Sequence, residues 1–219
     1  MSRREWLEHL AVVTGRLVGD LRERDGAALR RLRTDVEGLR LRVTDELVRE
    51  RRDHPRLLVF LCGTTLMHSA GSGRTREERV AQARLGSDPT LGDYATYVPT
   101  EDAFEKLQAW SDQGAEISYL SYHRDAAGVA ASADALTRHG FPPGTVVARA
   151  EGETYDDVVA RAAPDILIED DCTSTGSYDI AYEQLGPQLR GRISSIVVPQ
   201  FGGLGQLPAN LKSLLSCTA

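Results

Sequence analysis

The sequence predicts a three-layer α/β protein, built on a doubly wound parallel sheet and preceded by an N-terminal helical extension. From residue 56 onward, short apolar runs alternate with amphipathic stretches, a pattern typical of parallel strands connected by helices. Residues 1–53 consist almost entirely of helix formers. A chain of 219 residues, 41% of them hydrophobic, can bury the core of one domain with an appendage. We therefore expect amphipathic helices over residues 1–53 and an α/β domain over residues 54–219.

The N-terminal extension carries two apolar stripes whose members are three or four residues apart, as one face of a helix requires. The stripes are Trp6, Leu10, Val13, Leu17 and Leu21, then Leu29, Leu32, Val36, Leu39 and Val43. Asp25-Gly26 between them predicts a helical hairpin, although one long bent helix fits the same spacing. The helices either pack on the α/β domain or form a coiled coil that makes the chain a homodimer. Each stripe is shorter than the three or four heptads typical of a coiled coil.

The α/β domain is expected to contain five strands with helices between them. The strands are predicted over residues 56–62, 116–121, 145–149, 165–171 and 193–198. Helices are predicted over residues 100–114, 124–140 and 178–185 and after Thr154. Thr100 is a candidate N-cap and Gly114 a candidate terminator of the helix between them.

Composition excludes several classes of function. A net charge of −6 and a pI near 5.4 argue against a nucleic-acid partner, since such domains are typically basic. No apolar run approaches the length of a membrane span, and the N-terminus lacks the apolar core of a signal peptide. The three cysteines are widely spaced, as expected of free thiols in a reducing compartment. We therefore expect a cytoplasmic protein with a small-molecule substrate and with neither nucleic-acid nor membrane partners.

Polar residues gather where the predicted strands end, and in a doubly wound sheet the functional site lies beyond the carboxyl ends of the strands. Asp170-Asp171 is a natural ligand pair for Mg²⁺, although the same residues can cap the following helix. Ser121 can hydrogen-bond a phosphate or serve as a turn hydroxyl. Arg124 and Arg149 can each hold an anion.

The order of "VFLCGTT", "AEISYLSYHR" and "PDILIEDD" resembles the haloacid dehalogenase-like (HAD) superfamily over about residues 56–200. That superfamily typically has a strand ending in Asp-x-Asp-Gly-Thr, a second ending in Ser or Thr, a Lys or Arg, and a strand ending in an acidic pair. Gly63-Thr64, Ser121 and Asp170-Asp171 match. The resemblance implies Mg²⁺-dependent phosphohydrolase chemistry on a small phosphorylated or acyl substrate.

The first motif departs from the family pattern. Aligning Gly63-Thr64 puts Phe60 at the nucleophilic Asp and Cys62 at the general-acid Asp, while Arg149 is the nearest substitute for the family lysine. The segment over residues 67–99 is too short for a large cap and predicts a minimal one.

Three interpretations follow from the altered motif. Cys62 acts as a nucleophile or thioester carrier. Alternatively, the protein is a catalytically inactive member that binds a phosphorylated ligand or a partner. In the third interpretation, Cys62 replaces an Asp of an otherwise Mg²⁺-dependent phosphatase.

These arguments define the candidate site. The candidate catalytic residues are Cys62, Thr64, Ser121 and Arg149. The candidate substrate-binding residues are Gly63, Thr65, His123 and Arg124. Asp170 and Asp171 are the candidate Mg²⁺ ligands.

Overall fold

The computed structural model describes residues 3–22, 27–174, 176 and 180–217. They divide into two units, Met1–His54 and Pro55–Ala219.

The N-terminal unit is a helical hairpin of α1 (Arg3–Arg22) and α2 (Ala27–Asp53). The helices run antiparallel, since Arg3 at the start of α1 pairs with Glu46 and Glu50 near the end of α2. Val18 and Val36 pack together between them. Of the two predicted arrangements, a helical hairpin and one long bent helix, the structure contains the hairpin. The predicted break at Asp25-Gly26 lies outside the described residues.

The buried side of α1 differs from the stripe that the spacing suggested. Leu7 and Val18 are buried, whereas Trp6, Val13 and Leu17 of the first stripe are exposed. In α2, Val36 and Val43 are buried while Leu32 and Leu39 are exposed. None of the helices in the described part of the chain combines the length and apolarity needed to cross a membrane.

The second unit is built on a five-stranded parallel sheet, which confirms the predicted fold class. Its strands lie in the order β5-β4-β1-β6-β7. Their bounds are β1 Arg56–Phe60, β4 Glu116–Leu120, β5 Thr145–Val147, β6 Ile166–Asp170 and β7 Ser194–Val198. A separate antiparallel pair consists of β2 Leu66–Met67 and β3 Val98–Pro99.

Helices connect the strands and cover the sheet. They are α3 Arg76–Leu85, α4 Ala103–Asp112, α5 Ala126–Arg138, α6 Tyr155–Ala162, α7 Ala181–Gln184, α8 Pro187–Arg190 and α9 Leu211–Ser216. Thr154 caps α6 as predicted, with Asp157 completing a capping box. Thr100 is not the N-cap of α4. Asp102 holds that position, and the Thr100 hydroxyl instead donates to the Thr64 carbonyl at 2.6 Å.

The central strand β1 is buried on both faces, as a strand in the middle of a parallel sheet must be. Leu57 and Val59 point into one apolar layer, together with Trp110 and Leu107 of α4. Leu58 and Phe60 point into the other layer, against α6 and the segment that follows β6. Alternation along β1 therefore fixes which side chains reach each layer.

The segment between β1 and α4 forms a small cap, and one buried arginine holds it in place. Arg79 of α3 donates to the Gly71 carbonyl at 3.0 Å and to the Phe201 carbonyl at 2.8 Å. Its guanidinium also forms two hydrogen bonds with the Glu101 carboxylate, at 2.8 and 2.6 Å. Arg79 thus ties α3 to the start of α4 and to the loop after β7.

Replacing Arg79 by Met should lower the free energy of unfolding by about 2–3 kcal/mol, because two carbonyls lose their buried donor. Urea denaturation measures the change. Arg84→Met is the matched control on the same helix: Arg84 is exposed, and its loss should cost less than about 0.5 kcal/mol. Equal losses in both variants would contradict a clamping role for Arg79.

Candidate active-site pocket

The carboxyl ends of β1, β4 and β6 open onto one cavity of about 340 Å³. Its lining contains the rim residues Phe60, Cys62, Arg149, Asp170 and Cys172. It also contains His68, Ala83, Leu91 and Tyr97 from the cap, with Leu120, Tyr122, Tyr155, Ser174, Gln200 and Phe201. Residues far apart in sequence therefore meet at one edge of the sheet, as the topology requires.

The loop after β1 is a tight turn that brings its backbone against Asp170. The amide of Gly63 donates to the Leu66 carbonyl at 2.9 Å, and that of Leu66 donates to the Leu61 carbonyl at 2.8 Å. Gly63 has φ +89°, and a Cβ at this position would lie 2.8 Å from Oδ2 of Asp170. Only glycine combines this backbone conformation with so close an approach.

Asp170 is buried and held on both of its oxygens. The Cys172 amide donates to Oδ1 at 2.9 Å, and the Thr64 hydroxyl donates to Oδ2 at 3.0 Å. Burial raises the pKa of Asp170 to about 6, and these hydrogen bonds only partly oppose the rise. Thr64 therefore positions Asp170 and does not line the cavity itself.

Asp171 points away from the cavity. Arg76 forms an ion pair with its carboxylate at 3.0 Å, and the Gln200 amide and Thr173 donate to Oδ1. Partial burial acts to raise the pKa of Asp171, but the donors at Thr173 and Gln200 and the charge of Arg76 hold it below its usual value. This arrangement is that of a structural carboxylate that shapes the turn after β6.

The described residues offer Mg²⁺ fewer protein ligands than the predicted site. Mg²⁺ keeps several waters and is bound through one or two carboxylates, and of the predicted pair Asp170 is the one that faces the cavity. Arg76 neutralises Asp171, while the rim positions of the first motif hold Phe60 and Cys62. Among the described residues, no group of three or more His, Cys, Asp or Glu side chains is placed to hold a metal ion.

Cys62 lies in the cavity wall as a protonated thiol. Its sulfur is 3.9 Å from the Tyr97 hydroxyl. Burial, and next the negative charge of Asp170, raise the pKa of Cys62 to about 11. The thiol form therefore predominates at pH 7, and the thiolate, which is the nucleophilic form, is disfavoured.

Arg149 and two aromatic rings form one side of the cavity. The Arg149 guanidinium lies over the Tyr155 ring, 3.9 Å from its centroid. The rings of Tyr155 and Phe60 are in contact, with centroids 5.2 Å apart. Nε of Arg149 is buried and has no hydrogen-bond partner within the described residues. Arg149 is also shared with a second cavity of about 490 Å³, whose lining includes Arg124.

The remaining predicted site residues lie outside the lining of the 340 Å³ cavity. The Ser121 hydroxyl is buried 3.0 Å from that of Ser132, and it accepts from the His123 amide. The His123 ring packs against Tyr94, 4.7 Å between centroids, and against the backbone of Gly128. Thr65 donates to the Phe60 carbonyl at 2.8 Å, and so braces the end of β1.

Sequence reasoning missed much of the wall. His68 and Tyr97 come from the cap, where no strand end marks them, and Tyr155 is the first residue of α6. Gln200 and Phe201 come from the loop after β7, beyond the end of the last strand. Tyr122 is a wall residue that could have been predicted from the sequence, because it immediately follows Ser121 at the end of β4.

No protein-family model matches the sequence, and no curated protein is similar to it at a significant level. One similar solved structure is the class C acid phosphatase from Bacillus anthracis with tungstate bound. It covers 88% of this chain and 87% of its own, with 14% identity and a TM-score of 0.45. Neither the activity nor the ligand of that enzyme transfers to this chain at such a level.

The strand order and the position of the cavity are those of a doubly wound α/β sheet, whose site lies beyond the carboxyl ends of its strands. The neighbouring strands β1 and β6 are paired in parallel. Their ends place Phe60, Cys62 and Asp170 in the same cavity wall.

Replacing Gly63 by Ala should lower stability by about 2–4 kcal/mol, because the new Cβ is strained at this φ and collides with Asp170. Gly73→Ala is the matched control. Gly73 has φ +71° but open space around it, so only the strain should appear, about 1 kcal/mol. Thermal or urea unfolding of both variants separates the two effects, and equal losses would contradict the contact with Asp170.

Alkylation of Cys62 should be slow at pH 7 and should accelerate continuously up to pH 10, since its thiolate forms only near pH 11. Peptide mapping after iodoacetamide treatment follows each cysteine separately. The exposed Cys217 is the internal control and should react first. A Cys62 rate that reached its plateau below pH 8 would show an activated thiolate and contradict this description.

Proposed function

We propose that this protein is a HAD-like ligand-binding domain that holds a small anionic molecule with an apolar or aromatic body and does not hydrolyse it. The observation that carries the proposal is Phe60 at the rim position where the resembling family places its nucleophile. Phe60 has no atom that can attack phosphorus or bind a metal ion. Its ring is packed against Tyr155 as part of an apolar wall.

The chemistry of Cys62 supports binding over thiol catalysis. An activated cysteine needs a nearby positive charge or a base to lower its pKa. For Cys62, burial raises the pKa, and the negative charge of the nearby Asp170 raises it further. The thiol is then a small, weakly polar part of the wall.

The ligand class follows from the lining of the cavity. Tyr97, Tyr122, Tyr155 and Phe201 supply aromatic surface, which suits a flat or apolar body. Arg149 supplies a positive charge, and its buried Nε has a hydrogen left to donate. Nδ1 of His68 is a second buried polar atom without a partner among the described residues. Unpaired buried polar groups are costly, so a polar ligand atom that reached either one would relieve that cost.

The anionic part of such a ligand is a phosphate or a carboxylate, because a guanidinium recognises either with paired hydrogen bonds. A cavity of about 340 Å³ lies at the small end of the range for ligand pockets. Aryl phosphates and aryl carboxylates are therefore the first ligands to test.

Calorimetric titration with a panel of aryl phosphates and aryl carboxylates should give saturable binding. Arg149→Met, which keeps an unbranched side chain but removes the guanidinium, should weaken binding of the best ligand about 10- to 100-fold because the charged contact is lost. Arg192→Met is the matched control, since Arg192 is exposed and outside the cavity, and should bind as the native chain does. Equal affinity in the native chain and the Arg149 variant would show that Arg149 does not contact the ligand.

Phosphate release from the same aryl phosphates, with and without Mg²⁺, separates binding from catalysis. The native chain should release none above the uncatalysed rate. Cys62→Asp should release none either, because Phe60 still occupies the nucleophile position. Mg²⁺-dependent, saturable release by the native chain would overturn the proposal. Release by the Cys62→Asp variant alone would instead favour a phosphatase silenced at that residue.

A further inference from the structure

One side of the α1–α2 hairpin presents an exposed apolar surface. The Arg3–Glu46 pair marks this side near one end of the hairpin. Because the two helices run antiparallel, a step of seven residues forward in α1 and seven residues back in α2 reaches the next pair of residues on the same side. The next pairs on this side are therefore Leu10 with Leu39 and Leu17 with Leu32.

The exposures fit this assignment. Leu17, Leu32 and Leu39 are 42%, 46% and 39% exposed, although they lie beside the seam between the helices. Trp6 and Val13 of α1 precede Leu10 and Leu17 by four residues, so they extend the same surface outward, and they are 49% and 44% exposed. We call Trp6, Leu10, Val13, Leu17, Leu32 and Leu39 the apolar face of the hairpin.

The opposite side of the hairpin is polar at its seam. There Glu8 pairs with Arg51 at 3.6 Å, and one heptad along lie Gly15 and Thr44. Val12, Leu41 and Val48 are exposed on that side, but no apolar seam joins them. Scattered exposed apolar residues are ordinary, whereas a continuous patch marks an interaction surface.

We infer that the apolar face makes the chain a homodimer, by packing against the same face of a second copy as a four-helix bundle. This inference is independent of the proposed function. The face extends about 17 Å along α1, from Trp6 to Leu17, and about 20 Å across two helices, or roughly 340 Å² in flat projection. With the relief of the side chains, two copies would bury roughly 700–900 Å², the size of a weak and reversible interface.

Charges beside the face select one arrangement of the two copies. Asp35 and Arg42 of α2 lie one heptad apart next to Leu39, both are exposed, and neither has an ion-pair partner in the described part of the chain. If α2 packs antiparallel on the second α2, with the two-fold axis near Leu39, each Asp35 meets the other copy's Arg42. The same axis brings Trp6 against Val13 of the second α1. The other face-to-face arrangement, with α1 over α2, places Trp6 and Val13 against these charges and leaves the charges unpaired.

The test is sedimentation equilibrium of the full chain and its variants over about 1–100 µM, the range expected for an interface of this size. The native chain should dimerise, and Leu39→Glu should weaken the dimer at least about 100-fold by placing a charge at its centre. Leu41→Glu is the matched control, because Leu41 is more exposed but lies on the polar side. It should leave the dimer unchanged, and circular dichroism checks that both variants keep their helices.

A charge exchange tests the arrangement itself. Asp35→Arg should weaken the dimer by like-charge contact with Arg42, and Asp35→Arg with Arg42→Asp in one chain should restore it. A native chain that stays monomeric to 100 µM would overturn the inference. A dimer disrupted by Leu41→Glu and not by Leu39→Glu would overturn it equally.

Discussion

The contact between the turn after β1 and the carboxylate of Asp170 is the constraint on which the cavity depends. It joins the ends of two neighbouring parallel strands through the missing Cβ of Gly63 and the hydroxyl of Thr64. With that contact made, Cys62 and Phe60 have fixed positions relative to Asp170. Thr100 then attaches the beginning of the next segment to the Thr64 carbonyl, so the cap is anchored at the same point. The polar network at this rim therefore holds the two strand ends and the cap in place.

The same network fixes Asp170 through groups of the protein itself. Asp170 is held by donors that belong to the backbone and to Thr64, so its position does not depend on a metal ion. Its raised pKa means that the carboxyl is partly neutral near pH 6, which lowers the cost of burying it beside apolar groups. A rim built this way tolerates Phe60 and a protonated Cys62. Two charged aspartates at those positions would need a cation to balance them.

Most of the fold could be predicted from the sequence, because its signals are local. The buried run at β1 and the start of a helix at Thr154 each depend on a few neighbouring residues, and both were predicted. Contacts between distant segments were not visible. Thr100 was expected to cap a helix, but its hydroxyl donates a hydrogen bond to the carbonyl of Thr64. Leu7 replaces Trp6 on the buried side of α1, a shift of one residue that the three- and four-residue spacing does not decide.

For the site, strand ends predicted the position of Cys62, Arg149 and Asp170, since topology alone brings them together. The sequence could not tell that Asp171, one residue further, turns toward Arg76, because the direction of a side chain after a strand depends on partners from other segments. Tyr97 and Phe201 were missed for the same reason, as they reach the cavity from the cap and from the loop after β7. Ser121 stood at the expected strand end, yet its hydroxyl is taken by Ser132.

The stacked pair of Arg149 and Tyr155 has a further consequence, because both residues line the two neighbouring cavities. The pair is a partition between two compartments, and it is held by a cation–π contact that contributes only about 1–2 kcal/mol. In the proposed complex, the carboxylate or phosphate of the ligand would compete with the Tyr155 ring for the Arg149 guanidinium. Displacement of Arg149 from that ring would join the two cavities and enlarge the room for the ligand.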